Sequence, residues 1–233
     1  IKLNWAITPI VNLHFVSFNS NLNNGYDVWS VDNNKDYITY SDEQGMDSQK
    51  SYSNSFKINC KDFIGANAFY QYTNSTNKME HSYDGDWANN NYWLEFPYNF
   101  NPDSTYWEYS FFDKTIRNRR KETHEIRISS AKTRSSSWIV GYHSSRTKEL
   151  DDATGWLFGG DATSLLTNFD IINTAIYAQS LFRISNNLNM IFNIRNEDNY
   201  TTYLGKGLNW DWDVYDYVAI PRVSEEIQHS YSG

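Results

Sequence analysis

The chain has 233 residues, a formal charge of -8 and an aromatic content of 17%. The acidic balance argues against a nucleic-acid partner, whose phosphates call for a basic face. The lone Cys60 rules out a disulfide framework or a thiolate metal site, and no apolar run approaches the roughly 18 residues of a membrane helix.

Leu3, Trp5 and Ile7 alternate with polar residues up to Thr8-Pro9, and Val11, Leu13 and Phe15 alternate away from it. A period of two is the signature of a strand, so this is a hairpin with its turn at 8–9. A polar excursion over 24–47 follows. Phe56 and Ile58 then run into Cys60-Lys61-Asp62, and Ile64, Ala66, Ala68, Tyr70 and Tyr72 run out of it, which predicts a second tight turn at 60–62. A longer excursion covers 84–119. In Glu122–Ser130, Ile126 and Ile128 oppose Glu125 and Arg127; in Ser137–Ser145, Trp138, Val140 and Tyr142 oppose Ile139, Gly141 and His143. The short polar connection between them lies at 132–136. After an excursion over 150–170 comes the clearest hairpin, turning at Asn186-Asn187. One face carries Ile176, Ala178, Ser180, Phe182, Leu188, Met190, Phe192 and Ile194; the other carries Tyr177, Gln179, Arg183, Asn189, Asn193 and Arg195. From about 205 the chain reads as a fourth polar excursion.

Four tight turns separated by long polar excursions are the rhythm of an outer-membrane barrel, with short turns on the periplasmic side and long loops outside. A soluble domain seldom carries several loops longer than about 15 residues without secondary structure of their own. The prediction is therefore an all-β fold: an antiparallel transmembrane β-barrel segment of about eight strands, forming an open curved sheet with 1–7 and 188–204 as its edges. The aromatic excess suits interfacial girdles. The start in strand pattern without an initiator Met, and the polar finish at Tyr231-Ser232-Gly233, predict an internal piece of a longer protein. Two rival architectures fit part of the pattern. One is a complete eight-stranded barrel, structural, adhesin-like or an acyl hydrolase; the other is a soluble carbohydrate-binding β-sandwich that buries the apolar face under a second sheet.

Within the barrel reading, residues 83–149 carry recognisable motifs. Tyr83-Asp84-Gly85-Asp86-Trp87-Ala88-Asn89 opens a long loop, and Phe111-Phe112-Asp113-Lys114-Thr115-Ile116-Arg117-Asn118-Arg119-Arg120 closes it. Thr123-His124-Glu125-Ile126-Arg127-Ile128-Ser129-Ser130 then leads to Trp138-Ile139-Val140-Gly141-Tyr142. This resembles the barrel of TonB-dependent outer-membrane receptors, in which a strand of the type (S/T)-x-E-x-R-(L/I)-x-S precedes a W-x-x-G-x-Y strand. Ala175-Ile176-Tyr177-Ala178-Gln179 looks like that family's A-x-(F/Y)-x-Q strand, and Asn193-Ile194-Arg195 sits where G-x-R-Y is common. His124 and Asn193 depart from the usual residues, and nothing matches the family's plug domain or TonB box. The resemblance implies that residues 1–233 are part of a receptor barrel domain in a Gram-negative outer membrane. Its partners would be membrane lipid, TonB through a plug domain absent from this chain, and an imported ferric siderophore, cobalamin or glycan.

The candidate residues fall into two sets. Glu125, Arg127, Gln179, Arg183, Asn193 and Arg195 are the expected lumen-facing polar residues; their plainer role is a salt-bridge ladder in a wet barrel. Asp84, Asp86, Trp87, Tyr92, Trp93 and Trp107, with Trp156, Trp210 and Trp212, are the expected external ligand-binding set. Aromatics interleaved with Asp and Asn suit stacking on a siderophore ring or a sugar; the plainer role is loop packing plus an aromatic girdle. Asp84-Gly85-Asp86 and Asp211-Trp212-Asp213 lack the regular spacing of a calcium loop. His14, His81, His124, His143 and His229 are scattered, and no catalytic motif occurs. No metal, cofactor or catalytic site is expected.

Overall fold

Alternating apolar and polar residues give each segment one face that avoids water and one that seeks it, so neighbouring segments pair edge to edge with like faces aligned. In the computed structural model they do so as one antiparallel sheet. The structure describes residues 1–25, 30–33, 35–85, 87–99, 112–131, 135–156, 162–211, 213–219 and 222–232. Among the described residues the strands are β1 (Lys2–Ala6), β2 (Val11–Asn23), β3 (Met46–Phe63), β4 (Ala66–Asp84), β5 (Phe112–Ser130), β6 (Ser136–Trp156), β7 (Ala162–Ser185), β8 (Leu188–Asp211), β9 (Asp216–Ala219) and β10 (Arg222–Ser232), with one helix α1 (Asn90–Leu94) between β4 and β5. Strands β1 to β8 neighbour one another in chain order, and β9 and β10 both pair with β8.

Up-and-down order brings the strand ends flanking all four predicted tight turns to one end of the sheet, residues 132–134 of the third turn lying outside the described residues, and the ends of β2, β3, β4 and β5 that flank the longer connections to the other. Three corrections concern element ends. The second turn is Ile64-Gly65, not 60–62, because β3 continues through a bulge between Cys60 and Phe63. The bulge is accommodated by Asp62 at φ 54, whose N–H donates to Asn67 Oδ1 at 3.1 Å, and by Gly65 at φ 79. The expected excursions over 150–170 and beyond 205 are largely strand, and that over 84–119 is shortened at its end: β5 begins at Phe112, β6 and β7 reach to 156 and back from 162, and β8 runs to Asp211. Alternation is broken there, by charges on both faces in Arg117–Lys121 and by apolar side chains on both faces at Leu165-Leu166 and Ile171-Ile172, while backbone pairing continues. The edges are consequently β1 and β9–β10. Arg195–Gly205 is paired on both sides, with β7 and β10, whereas among the described residues Leu188–Ile194 pairs with β7 alone and keeps the edge position expected of it.

Cross-strand register defines the faces. The row Leu13, Ile58, Tyr70, Ile126, Tyr142 and Ile176 lies on one of them. The rows beside it add Phe15, Phe56, Val140, Ala178 and Ile194, then Trp138 and Phe192, then Phe182 and Met190. Ile126, Trp138, Val140, Tyr142, Ile176, Phe182, Met190, Phe192 and Ile194 are exposed, Leu13, Phe15, Phe56, Ile58, Tyr70 and Ala178 are half-buried, and among the described residues no second sheet lies over them. The small strand residues Gly141, Ala153, Ala175 and Gly205 all fall on the opposite, polar face and are buried by its side chains, Ala175 to 2% exposure. Crowding of that kind marks the concave side of a curved sheet. The sandwich is therefore excluded, and among the described residues β1 pairs with β2 alone, so the sheet does not close as a small barrel.

The apolar band runs obliquely to the hydrogen-bonded rows. Its upper limit on β2 is Phe15, whose row reaches β8 at Asp198, four residues past the band's upper limit there, Ile194. Its lower limit on β2 is Val11, whose row reaches β8 at Ile194, six residues above Leu188. Spread over the strand spacings between β2 and β8, that drift corresponds to strands inclined by about 25–35° to the band's normal. A barrel in a membrane needs strands tilted by roughly 35–45° so that a level apolar belt crosses them at an angle.

Candidate functional site

Two polar regions meet the chemistry expected of a solute passage: the concave face and the long-loop end. On the concave face charges occur in matched pairs because register sets them opposite one another. Arg117 lies across from Asp151 and donates to it through Nε at 2.7 Å and through a second guanidinium nitrogen at 2.6 Å, a bidentate fork. Arg119 and Glu149 form the next rung. Nearer the tight turns, Glu125 accepts from Tyr177 Oη at 2.8 Å and has Arg127 Nε at 3.5 Å. Arg127 also stacks over Phe69 at 4.0 Å, and Arg195 sits 5.9 Å from the Tyr177 ring while pairing with Glu197 at 2.6 Å. Tyr177 reaches across because its partner in the ladder is Gly141: a Cβ there would lie 2.2 Å from the tyrosine ring. The aromatic covers the backbone the glycine leaves bare.

All six expected polar residues share this face. Glu125, Arg127 and Arg195 enter one connected network, whereas Gln179, Arg183 and Asn193 lie nearer the tight turns and are exposed. The expected excursions took in Arg117, Arg119 and Asp151, and Glu149 was not among the expected polar residues. Their signal was legible: two arginines spaced by two and two carboxylates spaced by two match in register once both segments are strands.

At the long-loop end, Tyr40, Tyr92, Trp93 and Tyr98 form an aromatic cluster. Ring centroids are 4.4 Å apart for Tyr40–Tyr92, 5.4 Å for Tyr92–Trp93 and 5.2 Å for Trp93–Tyr98. Asn89 organises it. As the N-cap of α1 its side chain accepts from the Tyr92 N–H at 3.0 Å, and its Nδ2 donates to the Tyr40 carbonyl at 2.9 Å, tying the 24–45 and 85–111 segments together. The hydroxyls of Tyr92 and Tyr98 are 3.4 Å apart, and that bond holds the Tyr92 hydroxyl proton up to about 12. Tyr40 donates to Asp32 at 2.9 Å, which raises its pKa too.

Of the expected external set, Tyr92 and Trp93 are in this cluster, and Trp87 is bound through its N–H to Asp84. Asp84 ends β4, buried, its carboxylate accepting from the N–H groups of Trp87 at 3.2 Å and Asp42 at 3.3 Å. Burial and the nearby Asp84 charge raise the pKa of Asp42. Trp156 and Trp210 belong to β6 and β8 rather than to loops, and their side chains lie outside the described residues, as do Asp86, Trp107 and Trp212 entirely. Among the described residues no group of three or more His, Cys, Asp or Glu side chains is arranged to hold a metal.

The crystal structure of the ferric yersiniabactin uptake receptor FyuA from Yersinia pestis superposes on this sheet with a TM-score of 0.68 and 9% identity over 94% of the chain. The fold is that of part of a β-barrel wall. The chain spans 31% of that receptor's length. No protein-family model and no curated protein sequence matches it.

Proposed function

We propose that this sheet is part of the barrel wall of a TonB-dependent receptor in a Gram-negative outer membrane. The observation that carries the reading is the oblique apolar band: an exposed belt on one face, inclined to the strands as membrane insertion demands, backed by a crowded polar face. Lipid would cover the belt. The Tyr40–Tyr98 cluster and its neighbours at the long-loop end would capture the solute, a ferric siderophore, cobalamin or glycan, by ring stacking. Glu125, Arg127, Gln179, Arg183, Asn193 and Arg195 would line the passage, their mutual pairing keeping the wet wall rigid. In the full-length receptor, a plug pulled by TonB would open the way. No step is chemical, so the reading is of a transporter and not an enzyme.

The test is a scan with an environment-sensitive fluorophore. Cys60 is replaced by Ser, and single cysteines at positions 125 to 128 are labelled in the lipid-reconstituted protein. Blue-shifted emission at 126 and 128 with water-like emission at 125 and 127 is expected; the same emission at all four removes the membrane reading. For transport, cells lacking the gene should lose TonB-dependent growth on one of these solutes and regain it from the intact gene.

A further inference from the structure

The two long segments tied together by Asn89 hold the charge imbalance of the chain. Residues 24–45 and 85–111 carry nine acidic side chains and one base, Lys35, a balance of -8 that equals the formal charge of the whole protein. The remaining residues, which make the wall, balance to zero. On the concave face below the mouth Arg117 and Arg119 are already engaged by Asp151 and Glu149, so they do not offset it.

Part of this negative charge surrounds the aromatic cluster. Tyr40 donates its hydroxyl to Asp32 at 2.9 Å; that bond foremost, then partial burial and the charges of Asp32, Asp36 and Glu95, hold the phenol proton on. The charge of Asp32 also acts on Tyr92, whose ring is tilted by 35° to those of Tyr40 and Tyr98 at 4.4 and 5.4 Å. A phenol that donates to a carboxylate has a more electron-rich ring, and the face of any aromatic ring already carries partial negative charge. Rings and carboxylates therefore present one sign of potential. Several rings of these segments are open to water: Tyr37 is 100% exposed, Phe96 87% and Tyr98 44%. Aromatics left in water beyond the apolar belt mark a contact surface.

The sign of that potential selects what it holds. A chelate bearing several negative charges is repelled by the carboxylates and by the ring faces alike. A small inorganic cation gives up its hydration shell only to a set of converging oxygen ligands, and among the described residues no three His, Cys, Asp or Glu side chains are grouped to hold a metal. A bulky organic cation is weakly hydrated and suits both features, its carbon groups packing on the rings while its charge faces the rings and the acids.

We propose that this mouth binds its solute through a substituted ammonium group, seated against Tyr40, Tyr92 and Tyr98 and held by Asp32, Asp36 and Glu95. The inference rests on the reading of this cluster as the capture site and narrows the solutes to those that carry such a cation.

The probe is choline, compared with its uncharged tert-butyl analogue, in which carbon replaces nitrogen, and with the matching tert-butyl carboxylate. Binding to the protein in maltoside micelles, which contain no choline lipid, is followed by saturation-transfer NMR on each probe. Choline is expected to bind about tenfold more tightly than the uncharged analogue, and the carboxylate more weakly still. Asp36→Asn/Glu95→Gln should weaken choline about fivefold and leave the uncharged analogue unchanged, whereas Asp36→Glu should bind choline as the parent does. Tyr98→Leu should weaken choline as well, and Tyr98→Phe, which keeps the ring, should not. Equal affinity for choline and its uncharged analogue, tighter binding of the carboxylate, or parental choline binding by Asp36→Asn/Glu95→Gln overturns the proposal. Failure of the capture reading looks different: none of the three probes binds, whatever its charge, and this inference falls with it.

Discussion

Replacing Phe192 by Arg should unfold the protein far more readily than the same change one residue along. Phe192 stands mid-way along the Leu188–Ile194 face of β8, 54% exposed, with its ring edge-on to Phe182 at 6.2 Å. In a soluble protein, a cation at so exposed a site would cost little beyond that ring pair, about 0.5–1.5 kcal/mol. In a bilayer an arginine near the midplane adds about 2–4 kcal/mol. Together these come to roughly 3–5 kcal/mol, a factor of about 10²–10³ or more in the folding equilibrium. Asn193 points to the concave side, where water is available, so Asn193→Arg should change stability by less than about 1 kcal/mol. Urea unfolding in lipid vesicles, followed by tryptophan fluorescence, measures both. A Phe192→Arg variant within about 1 kcal/mol of the parent, or an Asn193→Arg variant that is the worse of the two, would refute the assignment of faces.

Three further outcomes are expected. Gly141→Val should displace the Tyr177 ring and cost about 1–3 kcal/mol in the same unfolding assay, whereas Tyr177→Phe, losing only its bond to Glu125, should cost about 1 kcal/mol. Asn89→Ala should raise hydrogen exchange at the Tyr92 amide by about fivefold or more, from the lost cap, with amides in the middle of β4 and β5 unchanged. Because the Asp42 pKa is raised on folding, the folded form holds that proton more tightly. The loop contact with Asp84 should therefore be firmest at acid pH and weaken as pH rises through the Asp42 pKa, above the usual carboxylate value. Asp42→Asn should flatten that dependence in exchange rates of the 40–47 amides.

Strand identity, up-and-down order and the division into an apolar and a polar face were determined by the sequence alone, because side chains in a strand alternate and a one-residue slip would invert every one of them. Ile126 against Arg127 and Phe192 against Asn193 carry that information without any structure. Where both faces are polar the signal vanishes: Arg117, Arg119 and Asp151 read as loop, and only the backbone ladder shows them, with Glu149, to be rungs of a charged wall. The turn at Ile64-Gly65 was likewise displaced from its expected place by a bulge that depends on Asp62 bonding to Asn67. Asn89 and Tyr40 are 49 residues apart, and nothing local says they will meet. The same holds for Asp32, Tyr40, Tyr92 and Tyr98, which come from two connections. They form one acidic aromatic mouth only because β3 and β4 pair and bring those connections side by side, a property of the sheet and not of any one segment.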